Sequence, residues 1–527
     1  MSVFTVAYLN LFIFLATAPG AAAVNLFGTR ALSDKAREKL EHEIQWGPLG
    51  NVVSSAADTV TNIAESAVTN AAESVAGAMV PSMAKALLGD MAVDNFDLPP
   101  PSKSMVNQQV IVCIVAIVVA VSLGLLLDKF MPPPKSSTRP SYLCISTLLG
   151  SYALLIPGLI STLFQFLLGV EILGAKVIFT QEDDNYSAIV ESTVGLVHLL
   201  FKTGGWIGAF LLILYSMVVP AVKIAALLVG EMWRENSDPR KVHVAKQLIE
   251  VVQMISKWAC PDMFAYILLL YLFRHLNGAG GIVAAPAQLG IGFACFSIFC
   301  VCSTFSTLMV QVPVTAEEID DGRRPWVLRT FGTESLFGVV AVAFILFMLV
   351  FALGMFTPTM AMFLDSGLLL KPTGPLPASL KPLVDSLHIE DLVNAEVTIA
   401  GATRALMAYI ATGELNDIFA VLMLAIFVIT LPIVNMLCLL LASWKMSDPE
   451  AAWRFIKVSR VLKHIEMLDV AIMGIIVVTC AGTAYHKQGV LFSVMMGLWV
   501  LLLAEILHYV LHYQVHGAYA HLSRAKA

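Results

Sequence analysis

Nine stretches of the chain are strongly apolar, and most of them are long enough to cross the hydrocarbon core of a bilayer. A spanning helix needs about 20 apolar residues, because its backbone polar groups have no water to bond. The stretches lie near residues 108–128, 141–168, 205–230, 262–276, 287–311, 334–357, 416–442, 468–484 and 488–513. Composition agrees, since 58% of the residues are hydrophobic and 13% are charged, against about 25% charged in soluble domains. The sequence therefore predicts an all-α, polytopic membrane protein.

The distribution of basic residues predicts how the chain is oriented. Lysine and arginine gather in alternate connections, starting after residue 128 and ending in the tail at 514–527, whereas the connections between them are acidic or nearly neutral. Because basic loops remain in the cytosol, the N-terminus is predicted to be extracytoplasmic and the C-terminus cytosolic. The glycosylation sequon at Asn185 lies in a connection predicted to be extracytoplasmic, as the modification requires.

The N-terminal region has the pattern of a secreted or membrane-targeted chain. Residues 1–23 form an apolar stretch that ends in small residues and are predicted to be a signal peptide cleaved after Ala23. They lack a basic start, so an uncleaved signal anchor is the alternative. Residues 24–106 then form an extracytoplasmic helical and linker region, whose spacing over 60–75 indicates either a weakly amphipathic surface helix or an interfacial, partner-binding helix. The secretory pathway or the plasma membrane is the predicted location.

Two halves of the chain share an ordered pattern. In the first half, one span contains a proline near its end, Pro220, and then Lys223. A basic connection follows, and the next span begins at Asp262. In the second, Pro432 is followed by Asn435, and the next span is headed by Asp469. The pattern predicts two four-span repeats, residues 141–311 and 334–513, preceded by an extra helix at 107–130. Since four crossings return the chain to its starting side, the repeats are parallel and their matching elements should face each other across a central seam.

The prolines and aspartates of this pattern have structural and functional interpretations. Proline inside a span leaves a backbone carbonyl without its hydrogen-bond donor. Lys223 would either donate a hydrogen bond to that carbonyl or extend its side chain to the cytosolic interface. Similar breaks are predicted at Pro157 and Pro358 in the first span of each repeat. The aspartates would cap their helices, or act as proton- or ion-responsive carboxylates along a lipid or proton pathway, because charges are rarely retained in a membrane without a task.

Other polar residues within the spans have less specific interpretations. Glu505 lies in the middle of the last span with His508 one turn later, so it should face the bundle interior and find a partner. Ser303 and its hydroxyl neighbours indicate either helix contacts or a polar cavity near Asp262. The eight cysteines are interpreted as small buried hydrophobic residues.

The sequence also limits the classes of function. No phosphate-binding loop, nucleophile elbow or HExxH motif is found, and no cytosolic connection is long enough to bind ATP. We therefore expect no enzyme activity, no cofactor and no metal site. The net charge of −6 indicates no nucleic-acid partner.

The ordered motifs carry a specific resemblance. The order GGW…VVPAVKIAALL…KW-x-x-x-D-x-F, followed by the looser LPIVNMLCLLL…IEMLDVAIM, resembles the PqiA (paraquat-inducible protein A) family of bacterial envelope proteins, which includes LetA. The resemblance covers about residues 141–513. The family residues carried over are Pro220, Lys223, Trp258, Asp262, Pro432 and Asp469.

The resemblance implies two four-span units that handle phospholipid beside an extracytoplasmic lipid-transfer partner protein. The chain departs from the family in three ways. Asn435 stands in place of lysine, Ile465 stands in place of tryptophan, and the cysteine-rich zinc ribbons before each repeat are missing. The signal-like start and the extra helix indicate a eukaryotic-type variant.

Phospholipid handling through the seam between the repeats is thus the function that the sequence favours. A proton- or ion-coupled small-solute transporter and a membrane scaffold without transport are the alternatives. A lipid path predicts a cavity with apolar walls and a polar spot that opens sideways to the bilayer, whereas a solute path predicts a closed polar vestibule.

Overall fold

The computed structural model describes most of the chain after the N-terminal region. The described residues are 92–93, 95–99, 101–131, 140–172, 175–178, 180–182, 185–277, 283–313, 326–332, 335–369 and 394–526. The signal peptide at 1–23 and the amphipathic segment at 60–75 lie outside them.

Nine helices within these ranges are long and apolar enough to cross a membrane, and each overlaps one of the nine predicted spans. The prediction of an all-α, polytopic membrane protein is therefore confirmed. The helices of the first part are α1 (Lys103–Phe130), α2 (Tyr142–Ile160), α3 (Thr193–Thr203), α4 (Trp206–Ile213), α5 (Val219–Trp233), α6 (Pro239–Ile255), α7 (Pro261–Leu276) and α8 (Ile291–Met309). Those of the second are α9 (Trp326–Phe331), α10 (Leu336–Phe356), α11 (Ser366–Leu369), α12 (Ile399–Tyr409), α13 (Leu415–Leu422), α14 (Leu431–Trp444), α15 (Pro449–Ile465), α16 (Leu468–Ala481) and α17 (Met496–Lys526).

Proline shapes two of the spans in the same way. A π-helical turn, Leu214–Val218, joins α4 to α5 just before Pro220, and a second one, Met423–Thr430, joins α13 to α14 just before Pro432. Proline cannot donate the backbone bond of a regular helix, so the preceding turn widens. Pro157 lies inside α2 as predicted. The predicted break at Pro358 is wrong, because α10 already ends at Phe356.

Short strands close the ends of the helices on one side of the bundle, which the sequence did not predict. They are β1 (Ala92–Val93), β2 (Phe164–Phe166), β3 (Gly169–Ile172), β4 (Ala175–Ile178), β5 (Gln181–Glu182), β6 (Asn185–Tyr186), β7 (Ile189–Glu191), β8 (Val283–Ala284), β9 (Ala287–Leu289), β10 (Met360–Leu364), β11 (Ala395–Val397) and β12 (Val490–Val494). All of their pairings are antiparallel. They occur in connections that the charge pattern places outside the cytosol.

The two halves present their elements in the same order. In the first, β2 pairs with β7, which precedes α3, and with β9, which precedes the last span α8. In the second, β10 pairs with β11, which precedes α12, and with β12, which precedes the last span α17. Each half also contains a π-turned span and an amphipathic helix, α6 or α15, before its aspartate-headed helix. The shared order supports the predicted duplication, which remains a prediction.

Helix α7 is the centre of the bundle, and it packs along α16 of the other half. Almost every residue of α7 is buried. The two helices meet closely at Gly474, where an added Cβ would lie 2.5 Å from the carbonyl oxygen of Pro261 and 2.9 Å from Cβ of Phe264. The aspartate-headed helices of the two halves thus face each other.

This contact gives a first testable expectation. Gly474→Ala should destabilise the protein by about 1–3 kcal/mol, because the methyl group forces two packed backbones apart. The measurement is thermal unfolding of the purified protein in detergent. Gly338→Ala on α10 is the matched control, since no heavy atom lies within 4 Å of its added Cβ. Equal unfolding temperatures for the two variants would show that α7 and α16 do not meet at Gly474.

Candidate functional site

A polar cluster in the first half surrounds Lys223. Its side chain is completely buried, and Nζ donates to Ser256 Oγ at 2.6 Å and to Ser303 Oγ at 3.0 Å. Ser256 Oγ in turn lies 3.3 Å from Thr304 Oγ1. The interpretation that Lys223 extends to the cytosolic interface is therefore wrong, since hydroxyl groups from α8 and from the turn after α6 hold it inside the bundle.

Asp262 lies close to this cluster and is also buried. Its Oδ2 accepts a hydrogen bond from Ser216 Oγ at 2.7 Å, and its Oδ1 accepts from the backbone N–H of Met263 at 3.0 Å. Ser216 belongs to the π-helical turn before Pro220. The proline thus shapes the turn that supplies the partner of Asp262, and the carboxylate also satisfies a backbone donor at the start of α7.

Asp469, the matching residue of the second half, has different partners. Lys257 Nζ lies 2.8 Å from Asp469 Oδ2, and Tyr509 donates to the same oxygen at 2.8 Å. Lys257 also donates to the backbone carbonyls of Lys463 and Glu466 at 3.3 Å. Because Lys257 belongs to the first half, this ion pair joins the two halves at the start of α16.

A second buried cluster surrounds Lys463. Its Nζ lies 2.5 Å from Glu466 Oε1 and 2.9 Å from Glu505 Oε1, and it faces the Tyr509 ring at 3.4 Å from the centroid. Asn435 donates to Glu466 Oε2 at 3.0 Å. Glu505 therefore faces the bundle interior and has a cationic partner. Lys463 is the cation between these carboxylates, so we assign no metal to them.

A cavity of about 380 Å³ adjoins this cluster and lies along α16 and α17. We call it the α16–α17 groove; its lining residues are Trp258, Asp469, Ile472, Met473, Ile476, Val494, Leu498, Trp499, Leu502 and Glu505. Its walls are apolar, and the two carboxylates that adjoin it, those of Asp469 and Glu505, are nearly buried. Trp499 is 59% exposed, so the groove opens on the outer face of two spanning helices.

A second cavity of about 380 Å³ lies at the opposite end of α16. Its lining residues are Thr203, Gly204, Gly205, Trp206, Ile207, Gly208, Cys480, Thr483 and His486. It combines the start of a span in one half with the end of a span in the other. None of the predicted site residues lines it.

The predicted site residues thus divide into separate groups. Lys223 and Asp262 lie in the first cluster, Asn435 and Glu505 lie in the second, and Asp469 lies at the groove. Trp258 also lines the groove and stacks on Tyr215, with 6.2 Å between ring centroids. Asp262 and Asp469 therefore do not share one cavity, although their helices pack together. Asn185 lies in β6, and its glycosylation remains a prediction.

Several charged residues of these clusters were missed by the sequence reasoning. Lys257, Lys463 and Glu466 stand in the short polar lead-ins to the aspartate-headed spans, where charges next to an apolar run are ordinarily interfacial. Their burial depends on contacts across the bundle. The sequence signal that could have revealed them is that charged residues directly precede both aspartate-headed spans.

A third ionic cluster, which the sequence also did not reveal, joins the halves at the other end of α7. Arg274 Nη1 lies 2.7 Å from Asp417 Oδ2, and Nη2 lies 2.7 Å from Glu414 Oε2. Lys103 of the extra helix α1 approaches Glu414 Oε1 to 2.6 Å. Asn107 of α1 donates to the carbonyl of Gly413 at 2.8 Å. The extra helix is thereby bound to both halves.

Part of the first half is similar to a known protein family. Residues 181–313 match the family model described as PqiA, paraquat-inducible protein A. This segment of the chain is PqiA-like. The PqiA-like segment contains Pro220, Lys223, Trp258 and Asp262, which are the carried-over residues of the first copy. The resemblance predicted from these motifs is confirmed there.

No curated protein matches the chain. Two solved structures are similar: SecDF, a translocon-associated membrane protein from Thermus thermophilus, and SecDF in a super-membrane-facing form. Each is 12% identical, with TM-scores of 0.19 and 0.17 over 73% and 80% of this chain. The chain spans 62% and 61% of the length of those structures.

Proposed function

We propose that this PqiA-like protein binds membrane phospholipid in the α16–α17 groove and moves it at the bilayer without catalysing a reaction. The groove is the observation that carries the proposal. Its walls are apolar, the nearly buried carboxylates of Asp469 and Glu505 adjoin it, and the exposed Trp499 lies on its outer side, which together support a path for lipid. Its volume of about 380 Å³ is sufficient for part of a lipid, with the remainder of the molecule in the surrounding bilayer.

The groove offers complementary surfaces for the two parts of a phospholipid. Ile472, Met473 and Ile476 lie along α16, and Leu498 and Leu502 lie along α17, so an acyl chain would contact side chains over about two helical turns. Burial of apolar area is worth little against lipid tails, so the shape of the groove and its polar end must provide selectivity.

The polar end carries both signs of charge. Asp469 and Glu505 line the groove, and each forms an ion pair with a lysine, Asp469 with Lys257 and Glu505 with Lys463. In a zwitterionic head group, the phosphate pairs with a lysine ammonium of the protein and the amine pairs with a carboxylate of the protein. Exchange of these internal ion pairs for head-group contacts would let lipid enter without leaving a buried charge uncompensated.

The cellular setting belongs to the same proposal. We infer an extracytoplasmic lipid-transfer partner protein from the family resemblance. The basic connections support a cytosolic C-terminus. Cleavage of the signal peptide, glycosylation of Asn185 and residence in the secretory pathway or plasma membrane complete the proposed setting.

Photocrosslinking of lipid tests the proposed function. A benzophenone amino acid replaces Met473 in the full chain, which is expressed in membranes, washed extensively in detergent and then irradiated. We expect a phospholipid adduct by mass spectrometry, because a lipid held in the groove resists washing. The control is the same probe at Val342, which is 67% exposed on α10 and contacts only loosely held lipid.

A second variant identifies the groove as the source of the adduct. Ile476→Trp should fill the groove and remove the Met473 adduct while the protein remains folded. No adduct at Met473 after washing, or equal adducts at Met473 and Val342, would reject the lipid proposal.

The buried ionic clusters favour a second candidate function, a proton- or ion-coupled small-solute transporter. Intramembrane charges commonly mark such pathways. Retention of a small polar solute by the washed protein, together with no lipid adduct, would favour this transporter. Retention of neither would favour a membrane scaffold.

A further inference from the structure

The last spanning helix carries a row of histidines that ends at the Lys463 cluster. His508, His512 and His516 are four residues apart on α17, so they lie on one face of the helix. His508 is completely buried, whereas the other two are half-buried. The rings of His512 and His516 lie 4.1 Å apart, and His512 Nδ1 lies 3.3 Å from Ser459 Oγ.

His508 occupies an unusual position within the described structure. Neither of its ring nitrogens has a hydrogen-bond partner. Its Nδ1 lies 3.5 Å from Glu466 Oε1 and 3.5 Å from Glu505 Oε2, and that oxygen of Glu505 also has no hydrogen-bond partner. Burying such groups unpaired is costly. A proton on the imidazole would convert these approaches into charge-assisted contacts with both carboxylates.

The net charge of the cluster is also negative, so one more positive charge is needed to neutralise it. Its ionisable members are Lys257, Lys463, Glu466, Asp469 and Glu505. When all are ionised, three carboxylates and two ammonium groups leave a net charge of −1. One proton on His508 cancels this charge, whereas a divalent metal ion would reverse its sign and would have to share the carboxylates with Lys463.

The other surroundings of His508 do not supply that charge. Glu466, from the connection after α15, and Glu505 approach His508 directly. The groups around these two carboxylates are His464 and Lys463 from α15, Asp469 from α16, Asn435 from α14, and Tyr509 and His512 from α17 itself. Helix α10 contributes the ring of Phe347, with 5.5 Å between centroids. His464 and His512 are the remaining groups that could take up a proton, but the cluster charges that act on them come from lysines, Lys257 and Lys463 on His464 and Lys463 on His512, which oppose a further positive charge.

We propose that α17 contains a proton-binding site at His508, filled through His516 and His512 from the C-terminal end of the helix. A hydronium ion at that end gives its proton to the ring of His516. The proton passes to His512 and then to His508, and each donor ring returns to its neutral form. Imidazole is suited to this relay because it exchanges protons near neutral pH.

The site gives the lipid groove a means of control, and this link rests on the proposed function. Glu505 both faces His508 and lines the groove. Proton uptake removes the excess negative charge at the polar end of the groove. It thereby favours exchange of the internal ion pairs for a head group, so proton binding and lipid binding become coupled.

Nuclear magnetic resonance of the full chain, labelled with ¹⁵N-histidine and held in detergent, tests the site. Neutral and protonated rings differ in their nitrogen signals. Among the eleven histidines, we expect a signal that becomes protonated as the pH is lowered, that is missing in His508→Gln and that is still present in His198→Gln, a substitution at an exposed residue of α3. His508→Asn provides the assignment if the glutamine variant does not fold.

Two further variants test the partners and the path. Glu505→Gln should lower the fraction of protonated His508 at a given pH, because one negative charge is lost. His516→Gln should slow proton exchange at His508 without removing its signal. A His508 that stays neutral at every pH at which the protein is folded would overturn the proposal, as would a stoichiometric metal ion that is detected by mass spectrometry and is lost in His508→Gln.

The Met473 crosslink, measured on the same samples, separates the two proposals. Normal protonation of His508 with no lipid adduct rejects the groove and leaves the proton site. A normal adduct with a neutral His508 rejects the proton site alone. A normal adduct that does not vary with pH, beside a titrating His508, rejects the coupling between them.

Discussion

Arg274→Met is expected to destabilise the folded protein by about 3–5 kcal/mol, because it leaves the carboxylates of Glu414 and Asp417 buried without their shared partner. The guanidinium holds both, at 2.7 Å each, and is itself 11% exposed. Methionine retains much of the apolar volume, so the loss would report the charge rather than a cavity. The measurement is the apparent melting temperature in detergent, together with the folded yield from membranes.

The controls for Arg274 separate burial from charge. Arg240→Met removes the same group from an exposed position on α6 and should change the melting temperature little. Asp417→Asn combined with Arg274→Met should recover part of the loss, because Asp417 is the carboxylate left without a cation, whereas Glu414 keeps Lys103. If Arg274→Met melts like Arg240→Met, the cluster does not stabilise the contact between the halves.

Lys463→Met is expected to have an effect of similar size, about 3–5 kcal/mol, by the same mechanism in the second half. It removes the ammonium that Glu466 and Glu505 share, and both carboxylates are almost completely buried. Unlike Arg274, Lys463 adjoins the α16–α17 groove through Glu505. The change should therefore also weaken the lipid adduct at Met473.

A double-mutant cycle resolves the contribution of this pair. Glu505→Gln in the Lys463→Met background should restore part of the melting temperature, since the remaining Glu466 still accepts from Asn435. Lys457→Met, at an exposed position of the same helix, is the control. Strictly additive losses from Lys463→Met and Glu505→Gln would show that the ion pair contributes nothing to stability.

The spans could be predicted from the sequence because the membrane leaves little choice. A long apolar run must form a helix in hydrocarbon, and basic loops mark the cytosolic connections. Pro220 and Pro432 could be recognised as prolines inside spans, because each lies within a long apolar run. The π-helical turns before them were not, since proline in a span permits several adjustments and neighbouring contacts select among them.

The partners of the polar residues were less accessible to sequence reasoning. Lys223 could be placed in a span, but whether it reaches the interface depends on the hydroxyl groups of Ser256 and Ser303, which come from two other elements. The pairing of Lys257 with Asp469 joins residues that are far apart in the chain. Such contacts follow from helix packing, which residue types alone do not specify.

The short strands were missed for a related reason. Strands of two to five residues in connections carry almost no periodic signal. They nevertheless order the ends of the spans, since β10 holds β11 and β12 on its two sides. The same pairing scheme around β2 in the first half became visible only in three dimensions.

The enclosure of α7 has a consequence for how the polypeptide is made. Ribosomes deliver this helix to the membrane well before α13 and α16, yet Arg274 depends on Glu414 and Asp417 for its counterions. Until those later segments arrive, the nascent helix must be shielded by insertion machinery or a chaperone. Truncated products that end between the two halves would retain an orphan cation in lipid and should be recognised by cellular quality control.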